Sequence, residues 1–449
     1  MDPFVLGLIG LGAMLALVAV RVPIAFGMAI VGFVGMIYAV GWPQGEKVVD
    51  YERGLNAAFA YAAIEPFSFI ASFPIVAVPL FLLMGYLAFH AGFTRDIYDT
   101  ARVWMSRLHG GLALASVAGC AMFAAVSGSS LATAAAMGKL AVPEMLRHKY
   151  DPGLATGVVA ASGTLGSLIP PSILMILYGI FTEESVGQLL MAGLIPGVLS
   201  ALIYMAMVWV RARANPEFAP RGERTNWGEK VVALKGTWSI LALFMIVMGG
   251  IYSGIVTPTE AAAAGAAGAF VLGFLARRLD WNKARDALVE TARQSANIFA
   301  LVLGAKLFVG FIALTGVAAE LTIWAGHLDV PPVMILLSLS VIYIILGTFM
   351  DPLGMMLLTL PVVTPVIQDL GYDLVWFGVI MVKFLEIGLI TPPVGLNVYI
   401  LKGVVGDAVP LETIFKGIMW FLAMDVLTLA VLIGFPEISL WLPSLLLRG

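Results

Sequence analysis

One cysteine, Cys120, and four histidines stand among 449 residues. A lone thiol forms no internal disulfide, and scattered imidazoles offer no metal-ligand spacing, so metal and redox chemistry find little to work with. Charge is scarce as well: Asp, Glu, Lys and Arg make up 12% of the chain, about half the ~25% of an ordinary soluble domain. The net charge of −3 and the lack of a long basic segment argue against a nucleic-acid partner. No GxxxxGK[ST] run is present, so the chain carries no ATPase of its own, and it has neither HExxH nor a Ser-His-Asp arrangement. Ser129, in the GSS stretch, has no nearby histidine base, which argues against an intramembrane hydrolase.

What fills the chain is apolar sequence. Hydrophobic residues account for 61% of it, and the mean hydropathy is +0.99. Apolar runs recur from end to end, of the length that crosses ~30 Å of hydrocarbon at ~1.5 Å per residue. The ~10-residue alternating segments of a transmembrane barrel are missing. The expected fold class is therefore an all-α polytopic membrane protein. The N-terminus has no basic n-region and runs straight into a second apolar segment, so it reads as two retained spans rather than a removed signal peptide.

Spans are expected at roughly 3–20, 22–40, 70–90, 153–180, 187–210, 232–253, 260–276, 294–315, 372–402 and 411–435. Two further apolar regions, about 110–145 and 331–369, are cut by glycine, serine, proline and aspartate. Each reads either as a re-entrant hairpin or as two ordinary spans. Basic residues bear on the choice. Arg21 lies in the first turn, Arg95, Arg102 and Arg107 precede the first interrupted region, and Arg147 and Lys149 follow it. Later clusters are Arg211, Arg213, Arg221, Arg224 and Lys230, then Arg277, Arg278, Lys283 and Arg285. With two hairpins, all of these fall on one side, the cytoplasmic side by the positive-inside tendency, and both termini lie outside. The stretches GWPQGEKVVDYERG and AAELTIWAGHLDV become outside loops.

The chain also repeats itself. A shift of 222 residues places Gly166 on Gly388, Pro170 on Pro392, Pro171 on Pro393 and Pro143 on Pro365. Each half then reads as span, hairpin, broken span, span, with opposite starting sides. Inverted-topology repeats with discontinuous helices are the architecture of secondary transporters. The expected divisions are N-terminal scaffold spans at 1–69, a first inverted repeat at 70–210, linking loops and scaffold spans at 211–293, a second repeat at 294–435 and a C-terminal tail at 436–449.

The paired prolines supply candidate site residues. Proline removes a backbone donor, and backbone freed from a helix is tolerated in a membrane only where protein buries it or a hydrated cavity meets it. Pro170-Pro171 and Pro392-Pro393 are thus expected to open two spans toward a solute or ion. Ser127, Gly128, Ser129, Ser130 and Thr133 form a small, hydroxyl-rich tip suited to a carboxylate, a cation or close helix packing. Gly347, Thr348 and Asp351 occupy the matching stretch, and Asn397 follows the second proline pair. Lys383 and Glu386 precede that pair, and Lys306 is the lone basic residue deep in its span, placed to attract an anion, pair internally or snorkel. Thr257 or Thr259 with Glu260 reads as a helix cap.

The motifs VSGSSLATAAAMGKLAVPEM, LIPPSILMILYG, GIVTPTEAAA and GLITPPVGLNVYILKGV resemble the large membrane subunit of the tripartite ATP-independent periplasmic (TRAP) transporters, over nearly the whole chain. The resemblance implies a bacterial inner-membrane carrier, not an enzyme. It also implies a separate small four-helix membrane subunit, a periplasmic solute-binding protein, and sodium-driven uptake of organic acid anions such as C4-dicarboxylates or sialic acids. An elevator movement is implied, with hairpins and broken helices as the mobile part. No cofactor is expected beyond sodium as coupling ion. The competing expectations are a single-component carboxylate carrier and a non-transporting membrane scaffold.

Overall fold

Several aspartates stand where helices begin. Asp50 accepts from Arg53 N at 3.0 Å, Asp151 from Leu154 N at 2.8 Å, Asp351 from Gly354 N at 3.0 Å and Asp373 from Trp376 N at 2.9 Å. Thr257 and Glu260 form a full capping box at a Thr-Pro start. Each such cap satisfies a backbone donor that the helix leaves free and contributes ~1 kcal/mol.

The computed structural model describes residues 2–43, 46, 48–220 and 225–446. Arg221 and Arg224 of the basic clusters lie outside the described residues. Within them the chain is helical, with no strand. It opens with α1 (Pro3–Ala19), α2 (Ile24–Gly41), α3 (Tyr51–Ile70), α4 (Ala77–His90) and α5 (Phe93–Met105). Next come α6 (Gly111–Ser127), α7 (Ser130–Arg147), α8 (Pro152–Thr164), α9 (Ile173–Thr182) and the long α10 (Val186–Ala214). The middle holds α11 (Trp227–Leu234), α12 (Trp238–Phe244) running through a π-turn into α13 (Gly250–Tyr252), α14 (Pro258–Leu275), α15 (Trp281–Thr315) and α16 (Val317–Gly326). The last part is α17 (Pro332–Gly347), α18 (Pro352–Asp369), α19 (Leu374–Ile390), α20 (Leu396–Val405), α21 (Leu411–Gly434) and α22 (Glu437–Leu446).

Seven of these helices are long and apolar enough to cross a membrane, and a pair bent by 48°, Trp227–Leu234 with Trp238–Tyr252, makes an eighth if taken as one span. Both interrupted regions are helix-turn-helix units, α6 with α7 and α17 with α18. Both broken spans are broken: α8 stops at Thr164 and α9 starts at Ile173, while α19 stops at Ile390 and α20 starts at Leu396.

Several boundaries differ from the sequence expectation. Helix α3 starts inside the stretch expected as an outside loop; Glu52, Arg53, Asn56 and Glu65 dilute its hydropathy, but Asp50 caps it. The span expected at 70–90 begins only after a turn and a short 3-10 segment, Phe73–Val76. The 294–315 span is the end of a 35-residue helix. The stretch AAELTIWAGHLDV is mostly α16, and the expected tail at 436–449 contains α22, which packs on α10.

Lipid tails are as apolar as the side chains, so membrane helices associate through close packing of small residues. Helix α2 meets α15 in this way: a β-carbon on Gly304 would lie 2.1 Å from Ala25 O. The larger apolar core includes Phe81, Tyr178, Phe308 and Trp376. A smaller one around α6, α7, α8 and α21 includes Val117, Met137, Val158 and Phe421.

Contacts join several of the basic clusters. Arg102 Nη1 bonds Glu144 on α7 at 2.8 Å, Arg107 donates to Thr225 O at 2.8 Å, and Trp104 Nε1 donates to Lys230 O at 3.2 Å. Arg278 pairs with Asp96. The amphipathic α5 is the hub of these contacts, and sequence reading gave it no role.

Candidate functional site

The first tip is built by a glycine and two hydroxyls. Helix α6 ends at Ser127, Gly128 turns the chain at φ +61°, and Ser129 caps α7. Only glycine fits there, because that φ strains a side chain and a β-carbon would lie 2.6 Å from Pro171 O. Ser127 Oγ and Thr133 Oγ1 are 2.7 Å apart, and Thr133 Oγ1 donates to Ser129 O at 2.8 Å. The tip is docked on the first broken span by Ile173 N, which donates to Gly128 O at 3.3 Å.

Side-chain hydroxyls meet backbone carbonyls along that broken span. Ser130 Oγ donates to Thr164 O at 3.1 Å and touches the Ser167 hydroxyl. Ser172 Oγ, the cap of α9, donates to Ser167 O. Ser130, Thr164, Ser167, Ser172, Pro170 and Pro171 are all buried. Gly166 passes so close to the tip that a β-carbon would lie 2.8 Å from Ser129 O.

The second break is more exposed than the first. Thr348 Oγ1 returns its proton to Ile345 O at 2.7 Å, and Asp351 caps α18. Pro392 is half-buried and Pro393 exposed, unlike the first proline pair. Both pairs, Pro170-Pro171 and Pro392-Pro393, have cis peptide bonds. Asn397 is fully buried: its Nδ2 donates to Ala160 O on α8 at 3.0 Å, while its Oδ1 has no hydrogen-bond partner. The second break is thereby tied to the first broken helix.

The two tips border one cavity of about 240 Å³, lined by Gly128, Ser129, Ser130, Ser167, Asp351 and Gln294 among others. A neighbouring cavity of about 300 Å³ meets Ser127, Ser129, Lys139, Glu290 and Gln294. Of the expected site residues, Ser127, Gly128, Ser129, Ser130 and Asp351 border these spaces. Thr133, Pro170, Pro171, Gly347, Thr348, Pro392, Pro393 and Asn397 do not line either, and stand behind the tips or in the breaks. Sequence reasoning missed Gln294, Lys139, Glu290, Ser167 and Ser172. Gln294 carried one signal, a polar side chain at the edge of the apolar run NIFALVLGAKLFVG.

Lys306 lies at neither cavity. Its ammonium sits over the Phe69 ring at 4.1 Å and the Phe181 ring at 5.2 Å, so it is held by aromatic faces between α15, α3 and α9. Lys383 and Glu386 are buried in an ion cluster away from both cavities.

This arrangement of helix-turn-helix units, breaks and long spans defines an all-α polytopic membrane fold. The Alcanivorax borkumensis YdaH transporter has a similar fold, with a TM-score of 0.62 over 98% of each chain at 15% identity. The family model described as "Tripartite ATP-independent periplasmic transporter, DctM component" matches residues 11–438, and the chain belongs to that family. It is 38% identical to the C4-dicarboxylate TRAP transporter large permease protein DctM of Pseudomonas aeruginosa, over 85% of this chain and 89% of that one. It is 32% identical to the sialic acid TRAP transporter large permease protein SiaM of Vibrio cholerae, over 93% of this chain and 98% of that one. The protein is thus a multi-pass membrane transport component of the bacterial inner membrane, not an enzyme.

Proposed function

We propose that this chain is the large membrane subunit of a TRAP transporter that imports an organic acid anion, a C4-dicarboxylate, a sialic acid or a similar acid, by sodium-coupled elevator movement. A small four-helix membrane subunit and a periplasmic binding protein complete the system. The observation that carries the reading is the cavity shared by both hairpin tips and faced by Gln294 of α15. Hydroxyl and amide donors there suit a carboxylate. The hydroxyls of Ser130 and Ser172, the carbonyls of Thr164 and Ser167, and the unpartnered Asn397 Oδ1 are hard oxygen donors suited to sodium.

Element bounds support inverted repeats. The 222-residue shift carries the bounds of α7, Ser130–Arg147, onto those of α18, Pro352–Asp369, and the start of α8 at Pro152 onto that of α19 at Leu374. In this reading 70–210 and 294–435 are the two repeats, their hairpins re-entrant, and 1–69 and 211–293 belong to the scaffold. Hairpins and broken helices travel as one body against the scaffold, and the basic clusters joined through α5 face the cytoplasm.

Uptake of labelled organic acids into proteoliposomes containing this chain and its small subunit, with the binding protein outside, tests the reading under separate sodium and proton gradients. Uptake that needs sodium and the binding protein is expected. Sodium-driven uptake without any binding protein would instead establish a single-component carrier, and no flux from a folded complex would leave a scaffold role.

A further inference from the structure

Three carboxylate or ammonium side chains, Lys383, Glu386 and Asp425, are each 0% exposed. Lys383 and Glu386 lie one turn apart on α19, Asp425 reaches them from α21, and Ser200 and Tyr204 from α10. Lys383 Nζ donates to Asp425 Oδ1 at 2.6 Å, to Glu386 Oε2 at 3.0 Å and to Ser200 Oγ at 3.4 Å. Its three protons are thereby used. The Ser200 hydroxyl gives its own proton to Pro196 O at 2.9 Å, and Tyr204 OH donates to Asp425 Oδ1 at 2.5 Å.

Two oxygens are left over. Glu386 Oε1 and Asp425 Oδ2 are buried and have no hydrogen-bond partner. The charged groups acting on Glu386 are Lys383 and Asp425, with Tyr204 the further titratable neighbour and Thr164 of α8 beside Tyr204. One ammonium against two ionised carboxylates leaves one uncompensated negative charge on fully buried side chains, which a membrane interior disfavours strongly. One bound cation closes the count. Asp425 already receives two short donors, a hydroxyl and an ammonium, on a single oxygen; Glu386 receives one longer bond. The ionised form therefore belongs to Asp425.

We propose that Glu386 carries a proton, so that Lys383, Glu386, Asp425 and Tyr204 form a buried proton-binding site distinct from the cavity between the hairpin tips. Glu386 stands two residues before Gly388, which touches Gly347 at the end of the second hairpin's first helix. Loss of the proton places a second negative charge beside that joint.

Infrared difference spectra of the full chain in lipid, recorded between about pH 5 and about pH 9, test this without reference to transport. Wild type is expected to show the carbonyl band of a buried protonated carboxylic acid that titrates away at the alkaline end, at the same pH with or without sodium. Glu386→Gln is expected to lose the band and keep the wild-type melting temperature, because a neutral amide replaces a neutral acid. Asp425→Asn is expected to lower the melting temperature. A band that survives in Glu386→Gln, or no band in wild type, overturns the assignment. A band that sodium abolishes at fixed pH makes the missing cation sodium and overturns it too. Failure of Glu386→Gln to fold while Asp425→Asn folds would place the proton on Asp425 and equally sink the proposal.

Discussion

Gly347 and Gly388 touch backbone to backbone: a β-carbon on Gly347 would lie 2.7 Å from the Gly388 Cα, and one on Gly388 would lie 2.8 Å from the Gly347 Cα. This contact locks α17 of the second hairpin to the end of α19. A second close approach is Gly166 against Ser129 O, where a β-carbon would lie 2.8 Å away. Alanine at Gly388 or Gly166 forces backbone apart and is expected to cost about 1–3 kcal/mol. Melting of the purified variants in detergent checks it; unchanged melting temperatures at both positions would show that these contacts yield freely.

Asp351 caps α18 and borders the cavity between the tips. Asparagine caps a helix about as well as aspartate, so Asp351→Asn is expected to change stability by less than about 1 kcal/mol. Uptake is expected to fall at least about tenfold, equivalent to ~1.4 kcal/mol, because the carboxylate charge is gone. Transport at the wild-type rate by the well-folded variant would remove Asp351 from the site.

Ser130 Oγ donates to the buried Thr164 O and touches the Ser167 hydroxyl. Ser130→Ala leaves a buried polar group short of a partner, at a cost of about 1–3 kcal/mol. Under the sodium reading the sodium concentration for half-maximal uptake rises more than the KM for the organic acid. An equal rise in both would assign Ser130 to packing alone.

Lys306 is expected to serve as a fastener between helices. Replacing it by methionine removes its contacts with Phe69 and Phe181, worth about 0.5–2 kcal/mol, and leaves the KM for the organic acid unchanged. A KM raised about tenfold would give Lys306 a part in attracting the anion.

Lys383→Met is expected to be the most damaging of these changes, at about 3–5 kcal/mol, since it leaves the buried Asp425 carboxylate without its ammonium partner. Expression level and melting temperature report it directly. A fully stable Lys383→Met protein would mean that both acids are neutral in the folded state.

Much of the architecture was legible from local chemistry. Apolar run length gave the class, Thr257 with Glu260 marked a helix start, and the proline pairs marked the breaks. The match of α7 to α18 under a single shift follows from repeated prolines. Helix α3 was hidden because its charged and amide residues lower the hydropathy on which span recognition rests, although its cap at Asp50 was in plain view. The amphipathic α5 was hidden for the same reason carried further, since no apolar run exists for it to belong to.

Which polar groups meet was decided by tertiary packing. Residue types fixed that Ser129, Asp351 and Gln294 would each need protein or water in place of lipid. Nothing local says that they border one cavity, that Asn397 reaches Ala160, or that Lys383 finds Asp425 and Tyr204. Helix spacing reports neighbours three or four residues apart, whereas these partners are brought together by helices distant in the chain whose small residues set how closely they approach. The sequence by itself determined a membrane bundle with two breaks and two polar tips; the close packing of those helices decided which oxygens face a cavity and which are sealed around a buried lysine.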